Sequence, residues 1–225
     1  MKREIYLPEE YHAGQHGRRK RAGKWFRVLL AVLLGLALTG SIVRAQQTKA
    51  RAVRVQEALA EEVLRFHVLA NSDSREDQTL KLKVRDAVLD YMREAFPEAK
   101  SAEETKAWAK GHLPEIEAAA EQTIAAAGAG YPVNAEVTRC DFPEKAYGDV
   151  VFPAGRYEAL RVEIGAAKGH NWWCVLYPNL CFMDSVRAVV PEEGKEKLQE
   201  TLTEEEYEMV TEGRELKIKW FFLGE

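Results

Sequence analysis

The residues in this chain best suited to chemistry lie in one short stretch, NWWCVLYPNLCF, from Asn171 to Phe182. Cys174 and Cys181 stand seven apart, with Pro178-Asn179 between them as a turn signal. Three readings follow from the residues. The sulfurs join as a disulfide, which requires an oxidising compartment. They stay as two buried thiols. Or Cys174 is a nucleophile, which requires a base within hydrogen-bond reach. His170 lies four residues earlier, about 13 Å away along a strand, too far to serve. His67 and His112 could reach Cys174 only through the fold. Cys140 makes the cysteine count odd, so one thiol is left over in any paired scheme. The spacing is not that of a zinc site, the five histidines are scattered, and no GxSxG, P-loop or HExxH occurs. No metal site, catalytic residue or cofactor is assigned.

Two other features carry more polarity or more aromatic surface than a scaffold needs. Asn71-Ser72-Asp73-Ser74 places four backbone-bonding side chains in a row, with Asp77 three residues on. Trp172-Trp173 sends two indoles to opposite faces of a strand, and one core can cover only one of them. Core on both faces is one outcome; an indole displayed to a partner is the other.

The elements that must position these residues can be read from periodicity. Leu64, Phe66, Val68 and Ala70 alternate with Arg65, His67 and Leu69, as in an extended segment. After the polar turn, Leu80, Val84, Ala87, Val88, Tyr91, Met92 and Ala95 form a helical stripe. Lys81, Lys83 and Arg85 fall off it or at its edge. Ser74 with Asp77 resembles a capping box at the helix start. Ser101–Gly111 and Pro114–Gly128 read as two more helices, the first with a Ser101/Glu104 capping box, the second opened by Pro114. Trp108 is expected to anchor this helical layer. The period then falls to two. Val133, Ala135 and Val137 predict a strand, 142–155 a long loop with a short extended piece at 149–152, Tyr157–Ile164 a strand, and Asn171–Leu176 another. The last two, joined by a glycine-bounded turn, read as a hairpin. Glu192–Lys197 and Thr203–Val210 predict short helices, and Leu216, Ile218, Trp220 and Phe222 a closing strand.

The N-terminal part differs in kind. Residues 1–27 hold eight Lys/Arg against three Glu, net +5; with −4 for the whole chain, the remainder carries −9. An acidic body argues against nucleic-acid binding, and the basic head suits an anionic membrane surface. Behind the cluster RRKRAGK and the pair Trp25-Phe26, Val28–Val43 is a run of sixteen uncharged residues. Its length falls between a signal-peptide core and a bilayer span, and Val43-Arg44-Ala45 offers small residues at a cleavage site. Cleaved signal and retained anchor are equal expectations; both place residues from 46 on outside the cytoplasm. The organisation expected is a basic cytoplasmic head (1–27), signal peptide or membrane anchor (28–45), linker (46–62) and one extracytoplasmic body (63–225). That body is expected to be α+β, with helices packed on a small antiparallel sheet.

Taken together, LANSDSREDQTLKLKVRDAV (Leu69–Val88), FPAGRYEALRVEIG (Phe152–Gly165) and GHNWWCVLYPNLCF (Gly169–Phe182) resemble the stage II sporulation protein R family over Arg65–Met183. The turn Asn71–Ser74, Asp77-Gln78, Asn171, Trp172, Trp173, Cys174 and Cys181 match the family's pattern. The resemblance implies a signalling protein of endospore formation, made in the forespore and exported toward the septal space. It further implies activation of a membrane-embedded aspartic peptidase of the mother cell, which processes an early sigma-factor precursor. The chain would then be a signal and not the protease. Asn71, Ser72, Asp73, Ser74, Asp77, Asn171, Trp172 and Trp173 are the candidate partner-binding residues, and Cys174 and Cys181 the candidate disulfide. The rival reading is a cell-envelope hydrolase using Cys174.

Overall fold

The computed structural model describes residues 13–96, 99–182 and 190–211. The predicted strand at Leu216–Phe222 lies outside them. The chain divides into two units, Met1–Ala52 and Val53–Glu225.

The first unit is helical. Helix α1 runs Ala13–Glu62, with its residues from Val53 on belonging to the second unit. No side chain of Val28–Val43 is covered; Leu36 and Leu38 are each 65% exposed. This is the one helix, among the described residues, long and apolar enough to cross a membrane.

The second unit is α+β, as the periodicity predicts. Its strands are β1 (Leu64–Leu69), β2 (Val133–Phe142), β3 (Lys145–Tyr147), β4 (Val150–Phe152), β5 (Gly155–Ile164) and β6 (Asn171–Tyr177). Its helices are α2 (Arg75–Ala95), α3 (Ala102–Gly111), α4 (Leu113–Ala126) and α5 (Glu192–Thr201), and residues 204–211 are helical too. The main sheet has the order β2-β5-β1-β6. Two of its pairings are antiparallel and the central one, β1 with β5, is parallel.

This order corrects the hairpin expectation. β5 and β6 are not neighbours; β1 lies between them. The reason lies in burial. All six residues of β1 are buried, so it must be central and covered on both faces. On one face Phe66, Val68, Leu160, Val162 and Cys174 pack under Leu80, Val84, Val88 and Met92 of α2 and Ile116, Ala120 and Ile124 of α4. On the other, Leu59, Val63, Phe142, Tyr157, Val175 and Leu198 form a second core. The 142–155 stretch is correspondingly less loop than expected: β2 continues to Phe142, and β3 pairs with β4 as a small hairpin.

The helix starts follow the predicted caps. Ser74 Oγ accepts the N–H of Asp77, and Ser101 Oγ that of Glu104. Trp108 stacks on Phe96 and His112, with ring centroids 5.1 and 4.3 Å away, and packs against the first core as expected.

Candidate functional site

The polar turn does more than start α2. Asp77 is buried, and its Oδ2 accepts from Ser72 Oγ at 2.6 Å and Asn71 Nδ2 at 2.8 Å. Hydrogen bonds from Ser72, then Asn71, hold its pKa below the usual carboxylate value. Asp77 therefore departs from a capping box: its carboxylate turns toward the preceding turn, while Ser74 N–H donates to Ser72 Oγ.

The turn is also fastened to the loop between β5 and β6. Asp73 Oδ1 accepts both the backbone N–H and the ring Nδ1 of His170, each at 2.6 Å. Asn71 Oδ1 accepts from Ala166 N at 3.0 Å. Two backbone bonds run alongside, Gly169 N to Ala70 O and Lys168 N to Asn71 O. Lys81 Nζ reaches His170 O at 2.9 Å and Gln78 Oε1 at 2.6 Å. Close approach is built into the glycines. A Cβ on Gly169 would lie 2.1 Å from Ser72 O, and one on Gly165, at φ +58°, 2.5 Å from Asn71 Oδ1. The result is a latch: two loops distant in sequence present one polar surface. Asp73, Ser74, Ala166, Lys168 and His170 are its exposed members. A cavity of about 450 Å³ beside it is lined by Arg75, Asp77, Lys83 and Tyr131 among others.

β6 begins at Asn171 directly after the latch. Its two indoles are both covered. Trp172 meets Phe66 edge-on at 5.7 Å and lies under the Arg85 guanidinium at 4.9 Å. Trp173, on the opposite face, stacks on His67 at 4.8 Å and meets Phe142 at 4.7 Å. Each is only half-buried, so an edge of each indole stays at the surface. Further along, the chain turns at Pro178-Asn179 and Cys181 returns to form a disulfide with Cys174, Cα to Cα 5.4 Å. Cys174 is buried and its sulfur is committed, so it offers no thiolate, and the hydrolase reading loses its nucleophile.

Sequence reasoning missed four residues that matter here. His170, too distant along the strand to serve Cys174 as a base, is the partner of Asp73. Lys81, placed off the apolar stripe, is buried because its ammonium is drawn to His170 O. Arg65 and His67 alternate with apolar residues as solvent-facing positions would, yet both are buried in the second layer. Arg65 Nε donates to Cys174 O at 3.0 Å and Nη2 to the Tyr147 hydroxyl at 3.0 Å. Its guanidinium sits 4.4 Å from the Phe142 ring centroid and 4.9 Å from that of Tyr157. The basic residue in an otherwise apolar strand was the available signal.

His67 Nε2 lies 3.4 Å from Cys140 Sγ, the arrangement a cysteine–histidine nucleophile would need. Its electrostatics run the other way. Burial, then Arg161 and Arg65, lowers the imidazole to about 3, and burial raises the thiol. Both groups are therefore neutral near pH 7, and the pair holds no activated thiolate. No cluster of three or more metal-ligating side chains occurs among the described residues.

The profile of the stage II sporulation protein R family matches residues 60–187. Stage II sporulation protein R of Bacillus subtilis (strain 168) is 35% identical over 216 residues, covering 88% of this chain and 95% of that protein. No solved structure matches.

Proposed function

The chain belongs to the stage II sporulation protein R family, and from that premise we propose that it is an exported signal that works by touching a membrane peptidase. It is a sporulation protein with an N-terminal apolar helix. In this reading residues 1–27 stay in the cytoplasm, 28–45 serve as signal peptide or anchor, and 46–62 link them to a body at 63–225. The body enters the septal space between forespore and mother cell. There it activates the membrane-embedded aspartic peptidase that processes the early mother-cell sigma-factor precursor. The chain itself makes and breaks no bond.

Two features support export. The apolar helix follows a basic cluster, and the Cys174–Cys181 disulfide suits an oxidising compartment. The observation that carries recognition by contact is the latch between Asp73 and His170. It holds Asn71, Ser72, Asp73, Ser74 and Asp77 against the start of β6, where Asn171, Trp172 and Trp173 follow. A polar surface with a partly exposed indole beside it on each face of the sheet has the composition of a protein-binding patch.

The test is Asp73→Ala in sporulating cells, reading precursor processing together with the amount of exported protein. Processing is expected to fall several-fold at unchanged export, and His170→Ala to do the same. Normal processing by both variants would remove this surface from the account.

A further inference from the structure

β2 is ten residues long and, among the described residues, forms one edge of the main sheet. Its partner β5 occupies one side along the whole length, without a register break. The bonding parity is fixed by two observations. Gly165 N–H donates to Pro132 O, so even-numbered residues bond toward β5. Ala135 N–H donates instead to Glu117 Oε1 of α4, at 2.8 Å, so odd-numbered residues turn their backbone groups outward. Glu117 thus closes the edge at Ala135, and Pro143, with no N–H, closes it at the other end. Between them the outward N–H and C=O groups of Val137, Arg139 and Asp141 have no partner among the described residues.

A window of this kind accepts one more antiparallel strand. If the visitor is a second copy of β2 about a two-fold axis, parity allows few registers. Centring on Arg139 sets Arg139 against itself, and centring on Asp141 sets Asp141 against itself. Like charges directly opposite are unfavourable. Centring on Thr138 requires the capped Ala135. Centring on Cys140 sets Arg139 of each copy against Asp141 of the other, both side chains being exposed. Arg139 already meets Glu158 at 3.1 Å and has donors left for a second carboxylate. Inside the window that register forms about four inter-chain hydrogen bonds, two in each Arg139–Asp141 pair, with Val137 opposite Pro143. It is the register that leaves the Glu117 cap on Ala135 in place and sets opposite charges face to face.

We propose that β2 is a docking edge for a second copy of this chain, paired antiparallel about Cys140. Cys140 then faces its counterpart in a non-hydrogen-bonded pair, with Cα atoms about 4.5 Å apart, within disulfide reach. It is the free cysteine of the chain, since Cys174 and Cys181 are joined, so a thiol cross-link between copies reports on this position. Cross-linking requires the thiol to leave its place beside His67.

The experiment uses the full chain in membranes of expressing cells, treated with mild oxidant and run without reducing agent. A dimer band is expected, absent in Cys140→Ser. Arg139→Asp should reduce the band at least about tenfold, and Arg139→Asp with Asp141→Arg should restore it. Both positions are exposed, and protection of Cys174 and Cys181 from alkylation verifies folding of each variant. An association through the apolar helix would not respond to these exchanges. No band in the wild-type chain, a band that Arg139→Asp leaves intact, or a double exchange that fails to restore it overturns the proposal.

Discussion

Asp73 and Asp77 show how one residue type takes two tasks within five positions. Asp77 is inside, accepts from Ser72, Asn71 and Tyr131, and fixes the shape of the turn. Asp73 is outside and spends its Oδ1 on His170, which fixes where the turn points. Both carboxylates are held below their ordinary pKa, Asp73 chiefly by the His170 hydrogen bonds and Asp77 by those of Ser72 and Asn71. Their stabilisation is present above the unfolded carboxylate range and is lost as pH falls through the lowered folded values. His67 titrates in a higher window. Its folded value of about 3 lies below the ordinary 6.5, so the unfolded chain binds the proton first. Stability from this group is complete above about pH 6.5 and falls as pH drops toward 3. Denaturant unfolding at pH 7 and pH 5 should differ by about 2 kcal/mol from this source. His67→Gln should remove most of that difference, and an unchanged pH slope would show that His67 is solvated in the folded state. At this scale the chain was legible where groups act locally: the Ser74 and Ser101 caps were readable from three-residue spacing. The partners of Lys81, His170, Arg65 and Cys140 were not, because each lies across the sheet or across a loop from it.

Elements were legible in type and poorly legible in arrangement. Period two marked β2 and β5, an apolar and aromatic run marked β6, and period 3.6 marked α2. β1 keeps no wet face, so its alternation carried no information about which side was inside, and its insertion between β5 and β6 was invisible. Proximity in sequence favoured a β5–β6 hairpin; the need to bury β1 on both faces prevailed. The Cys174–Cys181 bridge closes β6 onto the 3-10 turn at Leu180–Phe182. Cross-linking so short a loop removes about 2 to 3 kcal/mol of unfolded-state entropy. Cys181→Ser and Cys174→Ser should therefore lower stability by about that amount, and by similar amounts, in thermal unfolding of the unreduced protein. A loss confined to Cys174→Ser would point to a role for that sulfur beyond the bridge. Arg65 adds to the element's stiffness, since its guanidinium ties the Cys174 carbonyl to the β3–β4 hairpin through Tyr147.

For the molecule as a whole, composition already separated a basic apolar head from an acidic body, and the structure divides the chain into two units. The resemblance to the stage II sporulation protein R family rested on long motifs, and those motifs prove to be the latch and the disulfide strand. Their residue types answer packing demands: Gly165, Gly169, Asn71 and Ser72 bring two backbones together. What sequence left open was whether the Trp-Cys strand was a reactive site. Cys174 is joined to Cys181 and the Cys140–His67 pair is neutral near pH 7, so neither cysteine offers a thiolate. The proposal to be tested is activation by contact, with all peptide-bond chemistry in the partner. The direct measurement is coexpression of the full chain, the membrane aspartic peptidase and the sigma-factor precursor in a host that does not sporulate. Cleavage is predicted only when chain and peptidase are both present, and is predicted to vanish when the peptidase's catalytic aspartates are replaced. Cleavage of the precursor by the chain alone would contradict the account.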